Sequence, residues 1–198
     1  MDLARTYLGE KVLAQGLKYL LSKDMEDFDR LISWAEKLPM PEHQKKDLES
    51  VKTFLQNKDS NWYKLGQRLL AETDPKVKEK LGINFFLNAN FLGVPKQQKM
   101  AQELGCSVPW AILIDPTAKC NLHCTGCWAG EYSQKDELDF DTLDRIFTEC
   151  EELGIYFIIM SGGEPTLRKD DIVKLAEKHS SQGFLLFTNG TLVDDKFI

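Results

Sequence analysis

Through the first hundred positions apolar residues recur at intervals of three to five, which is the rhythm of one-sided helices. Leu3, Tyr7, Val12, Leu17 and Leu20 mark a helix over Asp2–Leu21, and Phe28, Leu31, Ile32, Ala35 and Leu38 mark a second that breaks at Pro39 and Pro41. A third is predicted from Glu42 to Gln56. The cluster Asp59-Ser60-Asn61 supplies side-chain acceptors for unpaired helix amides and predicts a fourth helix from Trp62 to Glu72. Asp74-Pro75 reads as an N-cap followed by a proline in the first helical position. The helix it opens is predicted to run through the apolar stretch Ile83–Leu92 and to end at Gly93. That stretch, within INFFLNANFLGV, is read as core packing or contact with a second domain; a membrane-surface helix and a partner site are the alternatives. Asn84, Asn88 and Asn90 interrupt it without supplying basic anchors, which favours packing.

From Trp110 the pattern changes. Short apolar runs at Trp110–Asp115, Ile155–Met160 and Phe184–Phe187 read as strands, separated by amphipathic helices over Asp141–Leu153 and Asp170–His179. Alternating strands and helices imply an α/β fold with a parallel sheet, because parallel neighbours need long crossovers, usually helical. Parallel strands place their C-terminal ends on one edge, where α/β proteins bind ligands. The expected organisation is a helical region over residues 1–105 followed by an α/β region over residues 106–198.

Composition and charge narrow the functional classes. The chain is 42% hydrophobic and 28% charged, in the globular range. No apolar run reaches the roughly 18–20 residues of a membrane span, and the N-terminus lacks a signal-peptide pattern, so a cytoplasmic protein is expected. Residues 1–105 carry 17 basic and 15 acidic side chains, whereas residues 106–198 carry 8 and 16. An acidic second half argues against nucleic-acid binding there. Lys76, Lys78 and Lys80 read as solvated helix side chains. Five cysteines without an export signal read as reduced thiols free to bind metal.

The chemistry collects in the loops after the three strands. These are PTAKCNLHCTGCWAG, SGGEPTL and TNGTL. Cys120, Cys124 and Cys127 have C-x3-C-x2-C spacing, so three thiolates can grip three corners of one cubane, whereas complete protein ligation of a [4Fe–4S] cluster takes four. One iron is then left open to a small ligand, as catalytic metal sites are. Structural zinc is the rival, although it needs a fourth ligand and His123 is badly placed beside Cys124.

C-x3-C-x2-C after the first strand, Gly162-Gly163-Glu164-Pro165 after the second and Thr188-Asn189-Gly190 after the third together resemble the radical SAM superfamily. The resemblance covers about Trp110 to Ile198; the helical half resembles, less specifically, the leader regions of some uncharacterised bacterial members. It implies the first three βα units of a partial (β/α)6 barrel. It also implies that Cys120, Cys124 and Cys127 hold a [4Fe–4S] cluster whose fourth iron chelates S-adenosylmethionine (SAM). Gly162, Gly163, Glu164 and Pro165 would lie along the methionine moiety, with backbone groups and the Glu164 side chain meeting the amino group. Thr188 and Asn189 would lie near the ribose or methionine end, a turn with Asn before Gly being the other reading.

The implied reaction is reductive cleavage of SAM to a 5′-deoxyadenosyl radical, which abstracts hydrogen from an unidentified substrate. A one-electron donor such as flavodoxin or ferredoxin is the implied partner. One departure from the family pattern is informative: Gly126 stands before the third cysteine, where many members carry an aromatic, and Trp128 follows it instead. Trp128 is therefore a candidate adenine contact or a packed aromatic. Cys150 reads as a core residue and Cys106 has no spaced partner, while His43, His123 and His179 read as surface or loop residues. The family core continues through about three further strands, so this chain reads as a C-terminally truncated fragment, expected to bind a cluster but to turn over SAM poorly. The reading from a different class is a zinc-binding structural or interaction module without redox activity.

Overall fold

A computed structural model describes residues 15, 16, 19, 33, 42–130 and 137–198. The helices expected over Asp2–Leu21 and Phe28–Leu38 lie outside these residues apart from the four isolated positions, as does the side chain of His43. The chain divides into two compact units, Met1–Ile83 and Asn84–Ile198. In the first, α1 (Glu42–Gln56) and α2 (Asn61–Glu72) occupy the predicted segments. Ser60 caps α2 by accepting from the Tyr63 amide at 3.1 Å. Asp74 caps α3 (Pro75–Gly82) by accepting from the amides of Lys76 and Val77. Leu55 and Tyr63 are buried together, with Leu70 against them. Lys76 and Lys80 are exposed as expected, but Lys78 is half-buried and donates to the Leu70 carbonyl.

Gly93 does not end a helix. After α3 the chain continues as a π-helix over Ile83–Leu92 and then as α4 (Gly93–Leu104). The glycine that terminates α4 is Gly105, at φ 68°, a left-handed conformation that costs glycine little. Gly93 serves close approach instead, since a Cβ there would lie 2.7 Å from the Gly154 carbonyl oxygen.

The second unit accordingly starts at Asn84, earlier than the boundary expected at residue 106. Side chains of the π-helix and α4 explain the difference. Asn84 Nδ2 donates to the Gln182 carbonyl at 2.6 Å, Asn88 Nδ2 to the Ser181 carbonyl at 2.8 Å, and Gln97 Nε2 to the Gly154 carbonyl at 2.7 Å. Phe85 packs edge-on against both Trp110 and Phe157. The asparagines that interrupt the apolar stretch are thus its polar fastenings.

Three parallel strands, β1 (Ala111–Ile114), β2 (Phe157–Met160) and β3 (Gly183–Leu186), form a sheet in the order β1-β2-β3. Ile114 pairs with Met160, and Met160 with Leu186, so the strands end level on one edge. The crossovers contain α5 (Phe140–Leu153) and α6 (Lys169–Lys178). Asp139 caps α5 by accepting from the Thr142 amide, and Gly154 ends it at φ 84°. Leu143, Phe147 and Cys150 of α5, Ile158 and Met160 of β2, and Ile172 and Leu175 of α6 form the buried core with Ile155. Side chains alternate across a strand. The opposite sheet face therefore carries Leu113, Ile159 and Leu185 in register, and Leu113 and Leu185 are 59% and 43% exposed.

His179 is not a surface residue. It is 4% exposed, edge-on to Phe147, with its ring nitrogens 3.0 Å from Asp144 Oδ1 and 3.4 Å from Glu151 Oε1. Among the described residues no helix is long and apolar enough to cross a membrane.

Candidate functional site

Level, parallel strand ends bring the three motif-bearing loops to one edge of the sheet. The loop after β1 is closed at its neck. The Leu138 amide donates to the Pro116 carbonyl at 3.1 Å, Thr117 and Glu137 form an antiparallel bridge, and Lys119 pairs with Glu137 at 2.9 Å. The Arg168 guanidinium, from the turn after β2, donates to the carbonyls of both Pro116 and Leu138 and is itself held by Asp171 at 2.7 Å. This clamp had no signature in the sequence, because its partners lie far apart along the chain.

Within the loop, Cys120, Cys124 and Cys127 are in no disulfide and line one cavity of about 150 Å³ together with Leu122, His123, Ala129, Gly130 and Gly163. The Cys120 sulfur accepts from the Leu122 amide at 3.4 Å, and the Cys127 amide donates to the Cys124 carbonyl at 3.2 Å, so local turns set the spacing of the sulfurs. Among the described residues no three His, Cys, Asp or Glu side chains converge on a single ion. Three cysteines around one cavity leave room for a multi-atom group between them. Three soft thiolate donors are also the right chemistry for iron–sulfur ligation.

The loop after β2 seats the cysteine loop by backbone contact. A Cβ on Gly162, at φ 103°, would lie 2.5 Å from the Thr117 oxygen, and one on Gly163 would lie 2.2 Å from the Lys119 oxygen. The Gly163 amide donates to the Thr117 carbonyl at 3.1 Å and the Glu164 amide to the Lys119 carbonyl at 2.8 Å. The glycines are required for this packing of loop on loop. Pro165 is buried as the first residue of a 3₁₀ turn over Pro165–Arg168.

Glu164 is 1% exposed. Its Oε1 accepts from the Thr166 amide at 2.9 Å, from the Thr166 hydroxyl and from the Thr188 hydroxyl at 2.7 Å, and its Oε2 accepts from the Asn189 amide at 2.8 Å. Burial pushes this carboxyl up. The hydrogen bonds from Thr166, Asn189 and Thr188 outweigh it and hold the group below the usual carboxylate range, ionised at neutral pH. Thr188 and Asn189 are thereby placed against Glu164. Asn189 Nδ2 also donates to Asn121 Oδ1 at 2.9 Å, and Asn121 Nδ2 to the Thr191 hydroxyl at 2.8 Å. A single polar network thus joins the cysteine, GGEP and TNG loops, with Asn121 as a member that the motif reading missed.

Trp128 is 66% exposed and is not among the residues lining the cysteine cavity. His123 is exposed and does line it. Cys150 lies in the core, where burial, with Glu149 and Glu151 nearby, pushes its thiol up to about 11. It is unsuited to metal ligation, and exposed Cys106 lies outside the cavity.

The chain is similar to known proteins over its second half. The family model of the radical SAM superfamily matches residues 114–198. A probable GTP 3′,8-cyclase of Methanothermobacter marburgensis is 37% identical over 89 residues, 43% of this chain and 29% of that protein. A PqqA peptide cyclase of Bradyrhizobium diazoefficiens is 35% identical over 96 residues, 48% of this chain and 24% of that protein. An Fe-coproporphyrin III synthase of Methanosarcina barkeri is 35% identical over 87 residues, 42% of this chain and 22% of that protein. Each match spans less than a third of the relative's length. No solved structure matches.

Proposed function

We propose, from the premise that residues 114–198 of this chain belong to the radical SAM superfamily, that the protein is an iron–sulfur enzyme which abstracts hydrogen from its substrate with a radical derived from SAM. The family implies a [4Fe–4S] cluster and SAM as cofactors. The observation that carries the reading is the cavity shared by Cys120, Cys124, Cys127 and Gly163, which joins the cysteine loop to the loop of the next strand. In this reading the three thiolates hold three irons of the cluster. When bound, cluster and SAM supply a one-electron cleavage that yields a 5′-deoxyadenosyl radical.

The chain's own residues position and shield. Gly162 and Gly163 let the cysteine loop settle on the GGEP loop, and Glu164 ties both to Thr188 and Asn189. The apolar row Leu113, Ile159 and Leu185 lies on the sheet face that would line the inside of a partial (β/α)6 barrel, where it would keep water from a reactive radical. Trp128, exposed on the cysteine loop, is offered as a contact for adenine, and Thr188 and Asn189 as neighbours of the bound SAM.

The relatives' names differ in chemistry, one a cyclase of GTP, one a cyclase of the PqqA peptide and one a synthase of Fe-coproporphyrin III. The shared segment therefore carries the common radical chemistry and leaves the substrate of this chain unidentified. A one-electron donor such as flavodoxin or ferredoxin is the proposed partner. Three thiols that must stay reduced fit a cytoplasmic setting.

Anaerobic reconstitution with iron and sulfide tests the reading. The expected outcome is a brown protein with about four irons per chain, whose electron paramagnetic resonance (EPR) signal after reduction shifts on addition of SAM. Loss of the iron in a Cys124→Ala variant is expected as well. Zinc retained at about one ion per chain, with no iron taken up, would instead establish a structural metal module.

A further inference from the structure

The cysteine loop is fixed at its neck and open at its tip. The GGEP loop holds the neck, with the Gly163 and Glu164 amides donating to the Thr117 and Lys119 carbonyls. Residues 121–128 are all exposed, so burial does not set the direction of the tip.

A ring of three side chains ties this tip to the loop after β3. Asn121 Nδ2 donates to the Thr191 hydroxyl at 2.8 Å, that hydroxyl donates to Asn189 Oδ1 at 2.7 Å, and Asn189 Nδ2 donates back to Asn121 Oδ1 at 2.9 Å. The oxygen and nitrogen of a side-chain amide are told apart by their partners. Here the Thr191 backbone amide, which can only donate, meets Asn189 Oδ1 at 3.0 Å. That contact fixes the sense of the whole ring, since reversing Asn121 would set its nitrogen against the Asn189 nitrogen, donor against donor.

Asn121 also stands at one end of a peptide plane that takes part in the site. At the other end is Leu122, whose amide donates to the Cys120 sulfur at 3.4 Å. The plane turns about the Asn121 Cα, and a residue held at both ends of its side-chain amide does not swing freely. A hydrogen bond to a ligating sulfur draws charge from it and favours the reduced state of an iron–sulfur cluster.

We infer that Asn121 is a positioning residue which, held by Thr191 and Asn189, keeps the Leu122 amide on the Cys120 sulfur and so raises the reduction potential of the cluster. The inference rests on the radical SAM reading. It adds a link between a cluster-binding sulfur and a hydroxyl 70 positions along the chain from Asn121. Asn121 is not among the residues lining the cysteine cavity, so it acts through Leu122 and Cys120. The ring lies in contact with water, which competes for every bond in it, and its net contribution to stability is small. Its contribution is to direction.

The test uses the whole chain, reconstituted anaerobically with iron and sulfide, as wild type, Asn121→Ala, Thr191→Val and Thr191→Ser. Thr191→Val removes the hydroxyl from a residue outside the cysteine loop, and Thr191→Ser keeps it. The readouts are iron per chain, the EPR signal through a reductive titration with dithionite, and hydrogen exchange of the Leu122 amide followed by NMR in the iron-free protein. All variants are expected to load iron and to melt as the wild type does. In Asn121→Ala and Thr191→Val the ratio of reduced to oxidised cluster at a fixed potential is expected to fall about three- to tenfold, the worth of one net hydrogen bond. The Leu122 amide is expected to exchange faster by a similar factor. Thr191→Ser is expected to match the wild type in both.

Wild-type potential and exchange in Asn121→Ala and Thr191→Val, at full iron content, would overturn the role of Asn121 and leave the radical SAM reading standing. Equal shifts in Thr191→Val and Thr191→Ser would also overturn it, since the hydroxyl would then not be the cause. Should Asn121→Ala fail to take up iron, the two Thr191 variants decide by the same comparison. Failure of the wild type itself to take up iron would overturn the enzyme reading and this inference with it.

Discussion

Glu164 brings a full charge into a place where almost none of it meets water, and four protein donors hold it there. Two of those donors lie more than twenty residues further along the chain, in the loop after β3. Replacing Glu164 by Gln turns an amide N–H₂ toward groups that are themselves donors and removes the charge they solvate. The expected cost is about 2–4 kcal/mol, the range for breaking a buried charge-assisted network, read from urea unfolding at pH 7. The pH dependence has a definite sign. Because the folded-state pKa is depressed, this stabilisation is complete above the unfolded value of about 4.3 and is lost as pH falls through the lower folded value. The stability gap between wild type and Glu164→Gln should therefore shrink on acidification and persist from pH 6 to 8. A gap that did not narrow would show that shape rather than charge is what the network requires.

Between elements, the closest approach is made by backbone. Gly93 opens α4 where a methyl group would lie 2.7 Å from the Gly154 oxygen and 2.9 Å from the Asn88 oxygen. Gly93→Ala would gain about 1 kcal/mol of helix propensity. The overlap with two backbone oxygens, which have no rotamer to escape into, costs about 1–3 kcal/mol. The variant is therefore expected to be less stable than the wild type, measured by thermal unfolding, and a gain in stability would show that α4 shifts freely away from the end of α5. The sequence signals a glycine here but not its purpose. Apolar periodicity makes the strands and crossover helices legible, since each depends on residues adjacent in the chain, and spacing makes the three loops legible for the same reason. What cannot be read locally is reciprocal contact. The same limit hides the fastening of Asn84 to the Gln182 carbonyl, the burial of His179 between Asp144 and Glu151, and the occupation of Glu164 by Thr188 and Asn189. In each case a polar residue that looks available in sequence already has a partner supplied by another element.

At the scale of the molecule, charge and apolar surface act in opposite directions. The net charge of −6 keeps copies apart at low ionic strength. The sheet face opposite the helices presents Leu113 and Leu185 in register with Ile159, and Phe187 follows at 58% exposure. A row of this kind on short strands is a surface on which two copies can meet, once salt shortens the range of the repulsion to about 8–10 Å. Light scattering from concentrated solutions is expected to rise with added salt, and Leu113→Lys with Leu185→Lys to suppress the rise. Scattering that ignored both salt and substitution would place the contact elsewhere. In these 198 residues the row that would keep water from a radical is thus also the one expected to govern the ionic strength at which the chain stays dispersed.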